Sequence, residues 1–368
     1  MRIVLTGGGT GGHIYPALAV GKQLQQEDAR TELLYIGTSK GLEGRIVPEA
    51  GLRFEAVEIT GFRRKLSMDN LRTVMRFFQG VRRSKELLKE FKPDAVVGTG
   101  GYVCGPVVYA AAKLGIPTLV HEQNVVPGLT NKFLARYADS VAVSFESSMP
   151  HFGKAKRTIY AGNPCASPVV KASRSKGYAS LGLPEGSRIV LVVGGSRGAK
   201  AINDSMIEMA PSAASSRSTY FIFVTGESYF ERTSDLIKER VSGVNNHLHV
   251  LPYVHNMPEV LAASTLVVGR AGASSLAEFT ALGLPSILIP SPNVTNNHQE
   301  ANARSLMDAG AAEMVLESEL SGALLMERID TILQDSGRLQ RMKEASRKLG
   351  MPSSASILTG ELRRLAGS

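Results

Sequence analysis

Glycine-rich turns that directly follow short apolar runs constrain this 368-residue chain more than any other feature. The first lies in LTGGGTGGHIYPALA, where glycine fills five of the six positions 7–12, after an apolar run and before a helical pattern. The same plan restarts at RIVLVVGGSRGAKAIN, residues 188–203. Apolar runs that alternate with helical patterns are typical of a parallel sheet covered by helices. We therefore predict an α/β fold with two similar doubly wound domains in tandem.

The predicted domain boundary follows Gly162, where prolines, serines and glycines without an apolar period indicate an interdomain connection. The N-terminal domain is placed at 1–162 and the C-terminal domain at 163–368, with the option that the last helix packs back onto the N-terminal domain. The two cysteines, Cys104 and Cys165, are too few for a disulfide framework and favour a reducing cytosol. No apolar run reaches the ~18 residues of a membrane span, so we expect no transmembrane helix.

Four glycine loops follow predicted strands, at residues 7–13, 98–106, 194–199 and 269–275. The backbone N–H groups of such a loop, with a helix N-terminus behind them, can hold a phosphate, although some loops serve only close packing. The first loop contains G-x-G-x-x-G at Gly7, Gly9 and Gly12. A nicotinamide dinucleotide site also needs an acidic residue at the end of the second strand, and that strand ends in IGTSKG. We therefore expect a phosphate ligand other than a dinucleotide.

Six motifs resemble the MurG family of bacterial glycosyltransferases, in the family's order and over nearly the whole chain: GGTGGHIYPALA, GTGGYVCGP, HEQN, GGSRGA, GRAGASSLAEFTALGLPSILIP and NNHQEANA. The resemblance implies a GT-B fold, in which two Rossmann-like domains face each other across a cleft. It implies inverting transfer of N-acetylglucosamine from UDP-N-acetylglucosamine to undecaprenyl-diphosphoryl-N-acetylmuramoyl-pentapeptide, the step from lipid I to lipid II in peptidoglycan synthesis. It implies no cofactor and no metal, and the metal-binding D-x-D motif of the other glycosyltransferase class does not occur in the sequence.

The resemblance places the donor-binding residues in the C-terminal half. Backbone N–H groups at the start of the helix after GRAGASS would hold the diphosphate; they belong to Gly272, Ala273, Ser274 and Ser275. The Glu278 carboxylate would accept both ribose hydroxyls of UDP. The remaining predicted contacts come from Ser196 to a donor phosphate, from the Val254 backbone to uracil and from Gln299 to the sugar hydroxyls.

Several of these positions leave alternatives open. Ser196 could instead cap a helix, and Glu278 and Gln299 could be ordinary polar residues of their helices. Arg270 either balances the diphosphate charge or forms a structural ion pair. The family commonly carries an arginine just after the interdomain G-N-P, where this chain has Cys165, so that position is left out of the predicted set.

On the acceptor side, the family's ligand residues correspond to Thr10, Gly11, Gly12 and Asn124. Glycosyl transfer needs a base for the attacking hydroxyl, and a neutral imidazole at a helix N-terminus suits this task. His13 is the first candidate, with the alternative that it orders the loop or binds the acceptor diphosphate, and Glu122 is the second. His247 and His249 alternate on one strand, but we expect surface residues there and no metal site.

The segment 63–92 carries ten lysines and arginines against three acids, so its net charge is +7 in a chain of net charge +9. Arg72, Arg76 and Arg83 form a helical stripe beside the apolar Phe77 and Phe78. This pattern is typical of a membrane-surface helix, although an ordinary packed amphipathic helix also produces it. The family docks a basic-rimmed apolar patch on the cytoplasmic leaflet. We expect a peripheral protein on the cytoplasmic side of the cell membrane, with anionic lipid and no nucleic acid as partner.

Three other functions fit parts of the pattern. A UDP-N-acetylglucosamine epimerase or a glycolipid transferase would have the same two-domain fold, and a nucleotide-sugar-binding scaffold at the membrane would need no chemistry. The basic amphipathic helix argues against a soluble epimerase, and HEQN with GGTGGH argues against both enzymes. The complete donor set argues against the scaffold.

Overall fold

The computed structural model describes residues 1–59, 68–241 and 247–367, with the backbone alone for 68–74. The chain forms two compact units, one made of Met1–Cys165 with Ser353–Ser368 and the other of Ala166–Pro352. Each unit contains one parallel sheet with helices, which confirms the prediction of two α/β domains with parallel sheets.

The first unit contains seven strands in the order β3-β2-β1-β4-β5-β6-β7. Their bounds are β1 Arg2–Thr6, β2 Glu32–Gly37, β3 Arg53–Ala56, β4 Ala95–Gly98, β5 Thr118–Glu122, β6 Ser140–Val143 and β7 Thr158–Tyr160. The connecting helices are α1 Gly11–Glu27, α2 Glu43–Glu49, α3 Met68–Phe91, α4 Cys104–Lys113 and α5 Leu129–Leu134, with a 3-10 turn at Glu146–Phe152. In interior strands such as β1 all side chains after the first residue are fully buried, because helices cover both faces of the sheet.

The second unit contains six strands in the order β10-β9-β8-β11-β12-β13. Their bounds are β8 Arg188–Val193, β9 Thr219–Val224, β10 Leu248–Leu251, β11 Leu266–Gly269, β12 Ser286–Leu288 and β13 Ala312–Met314. Its helices are α6 Ala166–Val169, α7 Arg174–Ser180, α8 Lys200–Ala214, α9 Phe230–Arg240, α10 Met257–Ala263, α11 Ala273–Leu282, α12 His298–Asp308, α13 Gly322–Gln334 and α14 Ser336–Leu349, with 3-10 turns at Glu227–Tyr229 and Thr295–Asn297. The C-terminal helix α15, Ser354–Ala366, lies in the first unit, where Leu358 and Leu362 join the core that contains β1.

The structure corrects three local expectations. The first helix begins at Gly11, within the glycine loop and not after it, because the second half of that loop is already helical. The segment after Gly162, interpreted as a connection, contains α6 and α7, which belong to the second unit. Three edge strands have no counterpart in the apolar runs of the sequence: β3, β7 and β13.

The order of the strands explains the position of the four glycine loops. Each sheet has a switch point, where the connections turn to opposite sides: between β1 and β4 in the first unit and between β8 and β11 in the second. Each of these four strands is followed by one of the four glycine loops. Open α/β sheets bind ligands at the carboxyl ends of the strands at such a point. Each unit therefore has one pair of glycine loops where its sheet is expected to bind a ligand.

Candidate active site

The two glycine loops of the first unit contact each other directly. The Gly8 backbone N–H donates to the Gly100 carbonyl at 3.2 Å. Gly101 has φ +83°, and a Cβ there would lie 2.2 Å from the Gly8 carbonyl oxygen. Only glycine fits both the backbone conformation and the close approach. The same approach brings the ring of His13 against Gly100, where a Cβ would lie 2.8 Å from the His13 Cδ2.

His13 is the third residue of α1, and its ring is fixed by the loop that precedes it. Its Nδ1 lies 3.0 Å from the Gly8 carbonyl oxygen and 3.3 Å from the Thr10 hydroxyl. A carbonyl only accepts hydrogen bonds, so Nδ1 carries the hydrogen, and the lone pair of the neutral ring is on Nε2. The Thr99 hydroxyl donates to the His13 carbonyl at 2.6 Å and ties the second loop to α1. This tautomer suits a base that acts through Nε2.

Glu122, the second candidate base, is almost fully buried at the end of β5. Its Oε1 accepts from the Asn124 backbone at 3.0 Å and from the Asn124 amide at 3.2 Å. Its Oε2 accepts from the Gly128 backbone at 3.0 Å and from the Asn131 amide at 2.9 Å. Both oxygens of the Glu122 carboxylate each accept two hydrogen bonds within the protein. Glu122 therefore holds the loop of Asn124 in place, and this geometry argues against it as the base.

His121 is also fixed by hydrogen bonds. Its Nε2 lies 2.9 Å from the Gly162 carbonyl, and its Nδ1 lies 3.0 Å from the Gln123 amide. Burial lowers the pKa of His121 to about 4, so the ring stays neutral at physiological pH. His121 therefore ties β5 to the segment of Gly162.

In the second unit, α11 begins directly after the fourth glycine loop, with Gly272 as its N-cap residue. The first hydrogen bond of the helix runs from the Leu276 N–H to the Gly272 carbonyl at 3.0 Å. The N–H groups before Leu276 have no acceptor within the helix, and they carry the positive end of the helix dipole. They belong to Ala273, Ser274 and Ser275. The Ser274 hydroxyl is buried and has no hydrogen-bond partner within the described part of the chain.

Glu278 follows on the same helix, one turn further along. Its side chain is partly buried, and burial raises the pKa of its carboxyl to about 7. Among the residues that the structure describes, none donates a hydrogen bond to it. A desolvated carboxylate without donors is unfavourable, and hydroxyl donors from a ligand would relieve the cost.

Gln299 and Arg270, two other predicted donor residues, both form hydrogen bonds within the protein. The Gln299 Oε1 accepts from the Ser291 backbone N–H at 2.9 Å, which fixes the amide oxygen and leaves the N–H₂ group as the donor end of the side chain. Arg270 lies 2.5 Å from Glu317, measured from Nη2 to Oε2, and it donates to the Ile289 carbonyl at 3.1 Å. The structural ion pair is therefore what the structure shows for Arg270.

Ser196 is exposed and does not cap α8, whose N-cap residue is Ala199. Val254 is buried, so a contact through its backbone alone agrees with its position. Cys165 is buried, and its backbone N–H donates to the Asn163 side chain at 3.1 Å.

Comparisons with known proteins identify the family of the chain. Residues 3–143 match the N-terminal domain of glycosyltransferase family 28, and residues 189–357 match its C-terminal domain. The chain belongs to glycosyltransferase family 28.

Curated family 28 relatives match the chain from end to end. A protein of Bacillus cereus is 53% identical over 365 residues, covering 99% of both chains. A protein of Halalkalibacterium halodurans is 54% identical over 358 residues, covering 97% of this chain and 98% of the relative. Both are named UDP-N-acetylglucosamine–N-acetylmuramyl-(pentapeptide) pyrophosphoryl-undecaprenol N-acetylglucosamine transferase.

Solved structures have folds similar to that of this chain. The crystal structure of Acinetobacter baumannii MurG has a TM-score of 0.78 at 29% identity and covers 99% of both chains. The UDP-GlcNAc 2-epimerase of Neisseria meningitidis, bound to UDP-GlcNAc, has a TM-score of 0.70 at 14% identity and covers 99% of this chain and all of that one. At this identity the epimerase shows a shared fold only.

A second set of residues in this family 28 glycosyltransferase, which the sequence does not reveal, supports the loops through hydrogen bonds. Glu43, Tyr35 and Thr99 form hydrogen bonds with the backbone of the first loop or of α1. Gln123 donates to the Thr99 carbonyl, and Asn131 donates to the His121 carbonyl. These contacts join residues that are far apart in the sequence, so no local sequence pattern predicts them.

The part of the chain that the structure describes shows neither a metal site nor a membrane span. No group of three or more His, Cys, Asp or Glu side chains there could hold a metal ion. His247 and His249 instead pack against Tyr220, with ring centroids 4.7 and 6.2 Å from it. None of the described helices is both long and apolar enough to span a membrane.

An exposed apolar patch of the family 28 enzyme lies on α3 and α5. Its most exposed members are Leu129 (75%), Phe78 (62%), Met75 (57%) and Phe133 (36%), and we call these four residues the apolar patch. Phe77 is partly buried and packs against Tyr109 and Phe133, with ring centroids 6.0 and 6.3 Å away.

The basic residues predicted beside the apolar patch differ in their surroundings. Arg76 is exposed next to Met75. Arg83 pairs with Glu86 at 3.5 Å and with Glu55 at 3.8 Å, so its charge is partly balanced. Arg72 lies on the described backbone of α3 without a described side chain, and residues 63–65 lie outside the described residues.

Proposed function

We propose that this family 28 glycosyltransferase moves N-acetylglucosamine from UDP-N-acetylglucosamine to the 4-hydroxyl of lipid-linked N-acetylmuramoyl-pentapeptide, with inversion. The observation that carries the proposal is the pair of glycine loops at each switch point, with an oriented imidazole beside one pair and a desolvated carboxylate beside the other. Relatives that share more than half of their residues with this chain are named for this reaction.

The donor half of the mechanism uses α11. The N–H groups of Ala273, Ser274 and Ser275 face the diphosphate and stabilise the charge that develops as the bond from the anomeric carbon to UDP breaks. Glu278 accepts hydrogen bonds from both ribose hydroxyls, and Gln299 donates from its amide to the sugar. Ser196 and the Val254 backbone complete the nucleotide contacts. Because the helix N-terminus carries the electrostatic task, no metal and no cofactor is needed.

The acceptor half uses His13. Its Nε2 takes the proton from the 4-hydroxyl while the oxygen attacks the anomeric carbon on the face opposite to UDP, which inverts the configuration. The bond from Nδ1 to the Gly8 carbonyl keeps the ring in the required tautomer. Thr10, Gly11, Gly12 and Asn124 contact the acceptor, and Glu122 holds Asn124 in place.

Docking at the membrane brings the enzyme to its lipid-linked acceptor. The apolar patch inserts at the interface of the anionic cytoplasmic leaflet, with Arg76 and other basic residues of α3 above the headgroups. Helix α5 carries Leu129 and Phe133, and the preceding Gly128 bonds Glu122, so the patch adjoins the acceptor loop within the same unit. The enzyme is then a peripheral protein of the cell membrane, and nucleic acid is not its partner.

The deciding experiment is transfer of radiolabelled sugar from UDP-N-acetylglucosamine to a short-chain analogue of the lipid-linked acceptor. We expect a labelled disaccharide lipid, formed equally well in excess EDTA. Conversion of the nucleotide sugar without acceptor would favour an epimerase, and binding without conversion would favour a scaffold. Loss of transfer in EDTA with rescue by magnesium would contradict the role given to the α11 N-terminus.

A further inference from the structure

Glu43 is a buried carboxylate directly beneath the first glycine loop. It is the first residue of α2, and its side chain is fully buried. Its Oε2 accepts from the Gly9 backbone N–H at 3.0 Å. Its Oε1 accepts from the Thr38 hydroxyl at 2.5 Å and from the Thr38 backbone N–H at 3.2 Å. One side chain thus joins the end of β2 to the loop that follows β1.

The slot that holds this carboxylate is closed by glycines. A Cβ at Gly8 would lie 2.5 Å from Glu43 Oε1, and a Cβ at Gly41 would lie 2.3 Å from the same atom. No larger residue fits at either position unless the carboxylate moves. The glycines around Glu43 therefore leave the carboxylate one position, in contact with the loop.

Glu43 also changes what the first loop can do. Its charge has no lysine, arginine or histidine partner among the described side chains, and it is stabilised by three hydrogen bonds and the N-terminal turn of α2. The Gly9 N–H, which a bound phosphate could otherwise use, is occupied. Gly9 is held at φ +82°. A loop fixed in this way presents the Gly8 carbonyl in a constant direction.

We infer that Glu43 is a positioning residue for catalysis, which acts through the loop on His13. The path is short: Glu43 bonds Gly9, and the neighbouring Gly8 carbonyl accepts from the His13 Nδ1 at 3.0 Å. Tyr35 supports the same stretch by donating from its hydroxyl to the Gly7 carbonyl at 2.7 Å. Without the Glu43 carboxylate, the Gly8 carbonyl shifts and the imidazole loses its orientation. This inference rests on the proposed role of His13 as the base.

The test is a double-mutant cycle on turnover at saturating donor and acceptor. Glu43→Gln keeps the shape but presents an amide N–H₂ to one of the donors, and it should lower kcat roughly 10- to 100-fold, the loss expected when a catalytic group is displaced by a fraction of an ångström to one ångström. Affinity for UDP should be unchanged, because the proposed donor residues lie in the other unit. The matched control is Glu49→Gln, an exposed glutamate at the opposite end of α2, which should have wild-type kcat.

The combination with His13→Ala decides the mechanism. If Glu43 acts through His13, Glu43→Gln causes no further loss of kcat when His13→Ala is already present. Losses that multiply in the double variant, or a wild-type kcat for Glu43→Gln alone, would overturn the inference. If Glu43→Gln does not fold, Thr38→Val removes only the hydroxyl donor and should give a smaller loss with the same lack of additivity; wild-type kcat there would overturn it too. A wild-type kcat for His13→Ala alone would refute the proposed base separately.

Discussion

The most informative single residue on the donor side is Glu278, because its ionisation is coupled to binding. Ribose hydroxyls donate to the ionised carboxylate, so binding favours the charged form. With a pKa raised to about 7 by burial, the carboxyl becomes protonated as pH falls through 7. We predict that the affinity for UDP-N-acetylglucosamine falls by up to about tenfold per pH unit below 7. Calorimetric titration from pH 5.5 to 8.5 measures this.

The Glu278→Gln variant gives that titration its control. Its affinity should be weaker at pH 8, by about 1.5–3 kcal/mol, and independent of pH. Equal pH dependence in wild type and variant would remove Glu278 from the binding site.

The Glu278 carboxyl also makes the stability of the ligand-free protein depend on pH, in the direction opposite to that of ligand affinity. A carboxyl with a folded-state pKa of about 7, above its usual 4.5, contributes stability that is complete below pH 4.5 and lost as pH rises through 7. We therefore predict that Glu278→Gln stabilises the ligand-free protein at pH 8, by up to about 3 kcal/mol, and has little effect near pH 4.5. Thermal denaturation measures it, with the exposed Glu239→Gln on α9 as control. A lower Tm for Glu278→Gln at pH 8 would mean that the carboxylate has a structural partner.

On the acceptor side, His13→Ala tests the base directly. We predict a loss of kcat of roughly 100-fold or more at saturating acceptor, with the affinity for UDP unchanged. If a higher acceptor concentration restores the rate, His13 binds the acceptor and does not take the proton.

The residues that could be predicted from sequence are those inside motifs. His13 directly follows the glycines of the first loop, and the role of Glu278 is implied by the resemblance of its motif to the MurG family. Glu43 stands 34 positions from the glycine that it bonds, and its burial depends on the pairing of β1 with β2. Likewise, the sequence cannot decide whether Arg270 balances a diphosphate or forms a structural ion pair, because its partner Glu317 lies 47 positions away.

At the scale of elements, the contact between the first two glycine loops gives a matched pair of variants. Gly101 and Gly115 both have positive φ, at +83° and +72°, so alanine costs backbone energy at either position, about 1–2 kcal/mol. A Cβ at Gly101 would also collide with Gly8, whereas a Cβ at Gly115 meets nothing within 4 Å. We predict that both variants lose similar stability from the backbone but that only Gly101→Ala loses turnover. Similar turnover in both would show that the loop contact does not position the site.

Strands in the interior of the sheets were predictable, whereas three of the four edge strands were not; the exception is β10. Interior strands such as β8 are continuous apolar runs, because both faces are covered. The strands β3, β7 and β13 have only three or four residues, RFEA, TIY and AEM, with partly exposed side chains. An edge strand forms because a neighbouring strand offers its backbone, and that neighbour is not visible in a local window.

At the scale of the whole molecule, the repeated start of strand, glycine loop and helix was enough to predict two domains. The sequence left the packing of the last helix open, with the N-terminal domain as one option, and α15 does join the first unit through Leu358 and Leu362. An amphipathic helix shows in sequence that it has an apolar face, but not which surface it covers.

Membrane docking is a property of the whole molecule, and it depends on which basic residues are balanced by acids and which apolar side chains are exposed. Arg83 is partly balanced by Glu55 and Glu86, so Arg83→Glu alone should weaken binding to anionic vesicles only slightly. A basic residue near an anionic leaflet contributes about 1 kcal/mol, and salt screens it within a Debye length of about 10 Å. The exposed apolar side chains add a contribution that salt does not remove.

We predict that the combined variant Phe78→Ser, Leu129→Ser and Arg76→Glu stays in the supernatant when anionic vesicles are sedimented, whereas wild type sediments and is partly released by high salt. Val170→Ser, at an apolar position of the second unit that is 42% exposed, serves as control and should sediment like wild type. The combined variant should retain its affinity for UDP and its activity on a detergent-soluble acceptor, and it should lose activity on acceptor embedded in vesicles. That pattern separates docking from chemistry. If the combined variant sediments like wild type, the apolar patch is not the docking surface, and its exposure serves another contact.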